Sequence, residues 1–172
     1  LPRGPQRTRI RGRLIDGPRL QSRAETALRA LSNFLENRLV DHLLRGQAYT
    51  PPTTLHYALF VAAPSDAGGG TEVAGGSYAR AAVTPSLSAF AGTQGAGTTT
   101  ASSGTGGSTS NNGQIAFPAP TAGWGNVTHF GVFDASSGGN LLWWGALTAA
   151  KTINSGDAAP VFPAGAFTFT LA

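Results

Sequence analysis

The sequence predicts a mainly β protein: an antiparallel β-sandwich, Ig-like or jelly-roll-like, preceded by an amphipathic α-helix and a basic arm. Three observations predict it. The apolar period changes from three-four to two after Gly46. Short apolar segments then recur, separated by Gly- and Pro-rich turns. Strands and helices do not alternate, which argues against a nucleotide-binding α/β fold.

The arm comes first. Residues 1–21 open with "LPRGPQRTRIRGRLIDGPRL", a mixture of Pro, Gly and Arg with no period. Ten Arg and four acids give residues 1–45 a charge of +6. Arg80 and Lys151 against Asp66, Glu72, Asp134 and Asp157 leave residues 46–172 at −2. The basicity therefore belongs to the N-terminal part. The body has no basic face for nucleic acid. The arm suits an anchor on an acidic surface of a partner, with Arg7, Arg9, Arg11 and Arg13 as candidate contacts. It has no apolar core of the kind a secretory signal needs.

The helix follows, expected within residues 22–46 and spanning roughly 23–45. Ser22 with Glu25 reads as a capping box. Leu28, Leu31, Leu35, Leu39 and Leu43 recur at spacings of three and four, so they share one face, and Gly46 is a natural stop. Such a stripe must be buried against the body or another subunit. It is the first candidate contact surface.

Residues 47–172 form the expected β domain. In "TLHYALFVA" the residues Leu55, Tyr57, Leu59 and Val61 share one face and Phe60 takes the other. "EVAGGSYARAAVT" reads as strand, Gly-Gly turn and strand. Residues 91–113 are a Gly/Thr/Ser stretch without an apolar anchor, expected as a long exposed loop. "QIAFPAP" is a short strand, "VTHFGVFDA" and "NLLWWGALT" are two longer ones, and "AFTFTLA" closes the chain as a half-buried strand.

The pair "VTHFGVFDA" and "NLLWWGALT" flanks "SSGGN", whose Gly138-Gly139 supplies the positive φ of a tight turn, with Asp134 accepting from turn amides. His129, Asp134 and Ser136 do not make a triad: residues five apart on a strand point to opposite faces. Trp143 and Trp144, as neighbours, also face opposite sides. One can enter the core, and the other needs cover from the helix, a loop or a second subunit.

No other chemistry stands out. The chain has no Cys, so disulfides and thiolate chemistry are excluded. His42, His56 and His129 lack ligand spacing. Asp66 and Glu72 flank a Gly-rich loop but offer few oxygens for calcium, and no pair of convergent carboxylates suggests glycoside hydrolysis. "GGG" at 68–70 lacks the Lys-Ser/Thr of a phosphate loop. No apolar run is long enough to span a membrane. The expectation is a non-enzymatic protein with no cofactor and no metal, no nucleic-acid partner and no membrane insertion. It should form a homo-oligomer, a dimer before a trimer, because a leucine stripe and two oppositely facing tryptophans are hard to cover in one small domain.

Long stretches carry a resemblance. "LSNFLENRLVDHLLRGQAYTPPTTLHYALFVAAPSDAGGGTEVAGGSYARAAV", "GWGNVTHFGVFDASSGGNLLWWGALT" and "INSGDAAPVFPAGAFTFTL" resemble the small tail fibre proteins of tailed bacteriophages, over about Leu31 to Ala172. The resemblance implies a virion structural protein without enzymatic activity, part of a tail, neck or head appendage that contributes to attachment to the host surface. Family members tend to begin near Ser32, so residues 1–30 are an extension, and the stretch "GTTTASSGTGGSTSNNG" is longer than is typical. Two other classes compete with the fibre: a capsid decoration protein, and a glycan- or receptor-binding module, which would display its aromatics on loops.

Overall fold

A computed structural model describes residues 31–171. The expected basic arm and residues 22–30 of the expected helix lie outside them. The described chain is mainly antiparallel β with one short helix.

That helix, α1, spans Asn33–Leu44. It starts well after the position that the leucine period predicts. Ser32 is its N-cap, with extended backbone (φ −78°, ψ 156°), and its hydroxyl accepts from the Leu35 N–H at 3.2 Å. Leu31 is therefore not on the helix: it forms an antiparallel bridge with Trp143. The three-four spacing of leucines crosses a real helix boundary because a buried leucine fits a strand edge as well as a helix face. At the other end, Gly46 has φ 68°, which closes the helix as expected.

The main sheet is built on β1 (Leu55–Ala62), β2 (Thr71–Glu72), β3 (Ala81–Val83), β6 (Gly125–Phe133) and β7 (Leu141–Ile153). Its order is β2-β1-β6-β7, and β3 also pairs with β1. Thus β2 and β3 do not form a hairpin with each other. Both lie on the outer side of β1, with β3 against Leu55–Tyr57 and β2 against Phe60 and Ala62. Leu59, between them, receives the Val73 N–H on its carbonyl and gives its own N–H to the Tyr78 hydroxyl. The strand β1 alternates as its period predicts: Leu55, Tyr57 and Leu59 are buried on one face, and Phe60 is buried on the other against Phe133.

The strands β6 and β7 pair in antiparallel register, with Val132 opposite Trp143 and Gly131 opposite Trp144. Their connection turns through Gly138 (φ 59°) and Gly139 (φ 73°). Asp134 holds it by accepting from the Asn140 N–H at 2.7 Å and from Asn140 Nδ2 at 2.8 Å.

The opposing layer consists of two separate ladders: β4 (Ser108–Ser110) with β9 (Thr168–Thr170), and β5 (Ile115–Ala116) with β8 (Val161–Phe162). Its aromatics cover the sheet. Phe167 meets Tyr57 and Phe130 edge-on with centroids 5.0 and 5.3 Å apart, and Phe169 meets Trp143 at 5.0 Å. Asn111 joins the layer from inside. It is buried, its Nδ2 donates to Gly113 O and Pro163 O, and its Oδ1 accepts from the Phe167 N–H. The Gly/Thr/Ser stretch 91–113 is consequently not one long exposed loop. Ala91 and Asn111 are buried and β4 lies within it, while its tip is tied by Gln94 to Thr100 and Ala101. Side-chain hydroxyls and amides replace apolar anchors there.

Candidate functional site

The start of α1 is bolted to the sheet. The Ser32 N–H donates to Leu142 O at 2.8 Å, the Ser32 hydroxyl donates to Leu141 O, and the Asn33 N–H donates to Asp66 O at 2.9 Å. Leu31 and Leu35 are buried in the core, and Leu39 and Phe34 pack against it. Beyond that the face changes character. Leu43 is 73% exposed, and it is joined by Val40 at 49% and Leu44 at 80%. The expected five-leucine stripe therefore does not present one contact surface. Leu28 lies outside the described residues, Leu31, Leu35 and Leu39 are used inside the domain, and only Leu43 faces outward. Val40 and Leu44, four apart and each beside Leu43 on the helix surface, complete the exposed patch. Reading one leucine face hid them; a search for all apolar pairs at i and i+4 finds them. Arg7, Arg9, Arg11 and Arg13 also fall outside the described residues.

Trp143 and Trp144 face opposite sides, as adjacent strand residues must. Trp143 points to Phe169, and its indole N–H is buried without an acceptor. Trp144 points to the outer face, donates to Asp66 Oδ1 at 3.0 Å and lies 6.0 Å from the His129 ring. Both are half-buried. The loop that carries Asp66 thus supplies part of the cover that the second tryptophan needs. His129 itself pairs with Thr128 Oγ1 at 2.8 Å, while Asp134 is engaged by Asn140.

On the same outer face lies a cleft of about 630 Å³, walled by α1, the 66–70 loop and the β6–β7 turn. Arg80 dominates it. The guanidinium grips Glu72 at 2.8 and 2.7 Å, donates from Nη1 to Ala135 O and Gly138 O, and lies 3.6 Å over the Phe133 ring. Tyr78 adds a bond to Glu72 Oε1 at 2.9 Å. Both oxygens of Glu72 are taken by Arg80 and Tyr78, which leaves Asp66 without the second carboxylate a cation would need. Burial pushes the Tyr78 phenol well above its usual range; the Leu59 amide opposes this and Glu72 reinforces it. Among the described residues no group of three or more His, Asp or Glu could hold a metal ion. No described helix is long and apolar enough to cross a membrane.

The last feature is an edge. β7 pairs with β6 along one side, whereas on the other, among the described residues, its contacts with the start of α1 end at the bridge from Leu31 to Trp143. Beside it runs a groove of about 280 Å³ lined by Trp143, Phe130, Phe162, Phe167 and Phe169.

The architecture of the described residues is that of a β-rich domain with an exposed apolar helix end. Residues 30–170 match the family model described as Podophage GP4 fiber I protein gp80, and the chain belongs to that family of phage fibre proteins. Membership makes it a component of the virion. No curated protein matches the sequence.

Proposed function

We propose that the protein is a structural building block of a tail or neck fibre, which self-associates and contributes to attachment to the host surface without catalysing a reaction. The observation that carries this reading is the apolar patch of Val40, Leu43 and Leu44 at the end of α1. Burying one leucine stabilises by about 1.5–3 kcal/mol, so the patch favours association. A second copy suits it. Glu36 and Asp41 share the helix with Arg38 and Arg45, so two antiparallel helices related by a two-fold can set unlike charges opposite one another. A dimer is the first choice and a trimer the second. The arm, through Arg7, Arg9, Arg11 and Arg13, would hold an acidic face of a neighbouring virion protein. In this reading the ladders β4–β9 and β5–β8 are the reduced second layer of a sandwich.

The test is sedimentation of the full chain beside Leu43→Asp/Leu44→Asp. The wild type should be oligomeric at micromolar concentration and the variant monomeric with unchanged circular dichroism. A wild type that stays monomeric removes the self-association. The position of the protein in a cryo-EM map of intact particles separates a tail or neck fibre from a capsid decoration.

A further inference from the structure

Residues 111–113, Asn-Asn-Gly, hold two asparagines in opposite chemical situations. Asn111 is buried, its Nδ2 donates to Gly113 O and Pro163 O, and its Oδ1 accepts from the Phe167 N–H. The amide that follows it, the Asn112 N–H, donates to Ala89 O at 2.8 Å. Asn112 is half-buried, and its side chain is held by one bond, from Nδ2 to Thr98 O at 3.1 Å. Its Oδ1 is buried and accepts from no described group. Gly113 is exposed, and its N–H donates to no described group. The backbone does not demand a glycine there: its φ is not in the left-handed region, and a Cβ would meet nothing within 4 Å. Of the seven asparagines in the chain, Asn112 alone precedes a glycine.

We propose that Asn112 is a site of spontaneous deamidation in the folded protein, and that the product releases the loop that Asn112 tethers. The Gly113 nitrogen, unhindered by a side chain, loses its proton to hydroxide and attacks Asn112 Cγ. The new C–N bond closes a cyclic imide, the Cγ–Nδ2 bond breaks, and Nδ2 leaves as ammonia with a proton from water. A second water opens the imide, at Cγ to give aspartate or at the main-chain carbonyl to give isoaspartate. Nothing is oxidised or reduced. Either product replaces the donor to Thr98 O with a carboxylate oxygen and sets negative charge where Oδ1 was buried without a donor. Isoaspartate also lengthens the main chain beside Gly113 O, an acceptor of Asn111 Nδ2. Thr98 carries the connection onward, because its hydroxyl receives the Gly92 N–H at 2.9 Å. Asn111, one residue earlier, is spared because both its side chain and the following nitrogen are engaged. The inference stands on this segment alone and not on the fibre reading.

The test incubates the full chain at mildly alkaline pH, folded and in urea, and reads residues 111 and 112 by peptide mass spectrometry with enzymatic detection of isoaspartate. In the folded chain Asn112 should convert to both products before any other asparagine. Gly113→Ala should keep the unfolding midpoint and slow the conversion about tenfold, since a side chain then shields the attacking nitrogen. Asn112→Asp supplies one product directly and should speed exchange of the Gly92 amide about tenfold while Val132 stays slow. A folded chain that keeps Asn112 intact while the chain in urea converts fully would overturn the proposal. So would conversion of Asn111 at an equal rate, an undiminished rate in Gly113→Ala, or wild-type exchange at Gly92 in Asn112→Asp.

Discussion

Arg80 and Glu72 form a bidentate pair that joins two distant parts of the chain. Two charge-assisted bonds of 2.8 and 2.7 Å fix the carboxylate on β2, and the same guanidinium holds Ala135 O and Gly138 O in the β6–β7 turn. The Arg80 side chain is only 6% exposed and that of Glu72 27%. Removing the cation leaves a partly buried carboxylate and two carbonyls without their donor. Arg80→Ala is expected to cost about 3 kcal/mol or more, and Arg80→Lys to recover little, because an ammonium cannot reproduce the planar fork. Urea unfolding measures both.

Replacing Gly139 should damage the turn directly. Its φ is 73°, and a Cβ there would come within 2.5 Å of Asp134 Oδ1 and 2.6 Å of Ala135 Cβ. Gly139→Val is expected to destabilise by about 1–3 kcal/mol. Gly138→Ala, where a Cβ meets nothing within 4 Å, should cost less. Thermal unfolding of the two variants checks the order.

Tyr57 predicts an alkaline limit. Its ring is buried and its hydroxyl has no partner, so burial raises the phenol far above the ordinary value of 10.0; Tyr78 is raised as well, chiefly by burial. Below pH 10 both the folded and unfolded chains keep these protons and stability is flat. Above it the unfolded chain ionises first, binds fewer protons than the folded one, and stability falls as pH rises. Tyr57→Phe should weaken that fall and be neutral or stabilising by up to about 1 kcal/mol at pH 7, since no hydrogen bond is lost. Denaturant midpoints from pH 7 to 11 measure both effects.

Asn111 should prove a strong determinant of the second layer although it is polar. Its side chain serves Gly113 O, Pro163 O and the Phe167 N–H. Asn111→Ala strands these backbone groups and is expected to cost about 2–4 kcal/mol. Loss of amide protection at Phe167 with retained protection at Val132 would locate the damage in the ladders.

These sites also show which parts of the structure could be read in the residues. Periods of two were legible: β1, β6 and β7 follow from alternating Leu, Tyr, Val and Phe, and the turn follows from Asp134 and Gly138-Gly139. The opposed tryptophans followed from adjacency alone. The boundary of α1 did not, because Leu31 fits the three-four spacing while its backbone belongs to a bridge, and Ser32 rather than Ser22 is the cap of the described helix. The β4 strand and the Asn111 hub were illegible because hydroxyl and amide contacts leave no hydrophobic period. The exposed patch was partly legible: Leu43 was in the stripe, whereas Val40 and Leu44 sit beside it. Nothing in the spacing of Glu72, Tyr78 and Arg80 announces their network, since its fourth partner is a pair of carbonyls some 55 residues away.

The way β1 is flanked limits how copies of this domain can polymerise. Its outer side is closed by β3, the Tyr78 hydroxyl, Val73 and β2 in turn, with no gap longer than a residue. Among the described residues, β1 therefore offers no free side for edge-to-edge joining. Among the described residues a further copy would find no long free strand at β1, so the sheet cannot propagate through that side into an indefinite ribbon. In the proposed reading, a particle that needs a fixed number of fibre subunits would be served by such a unit, because unchecked sheet growth through β1 is blocked.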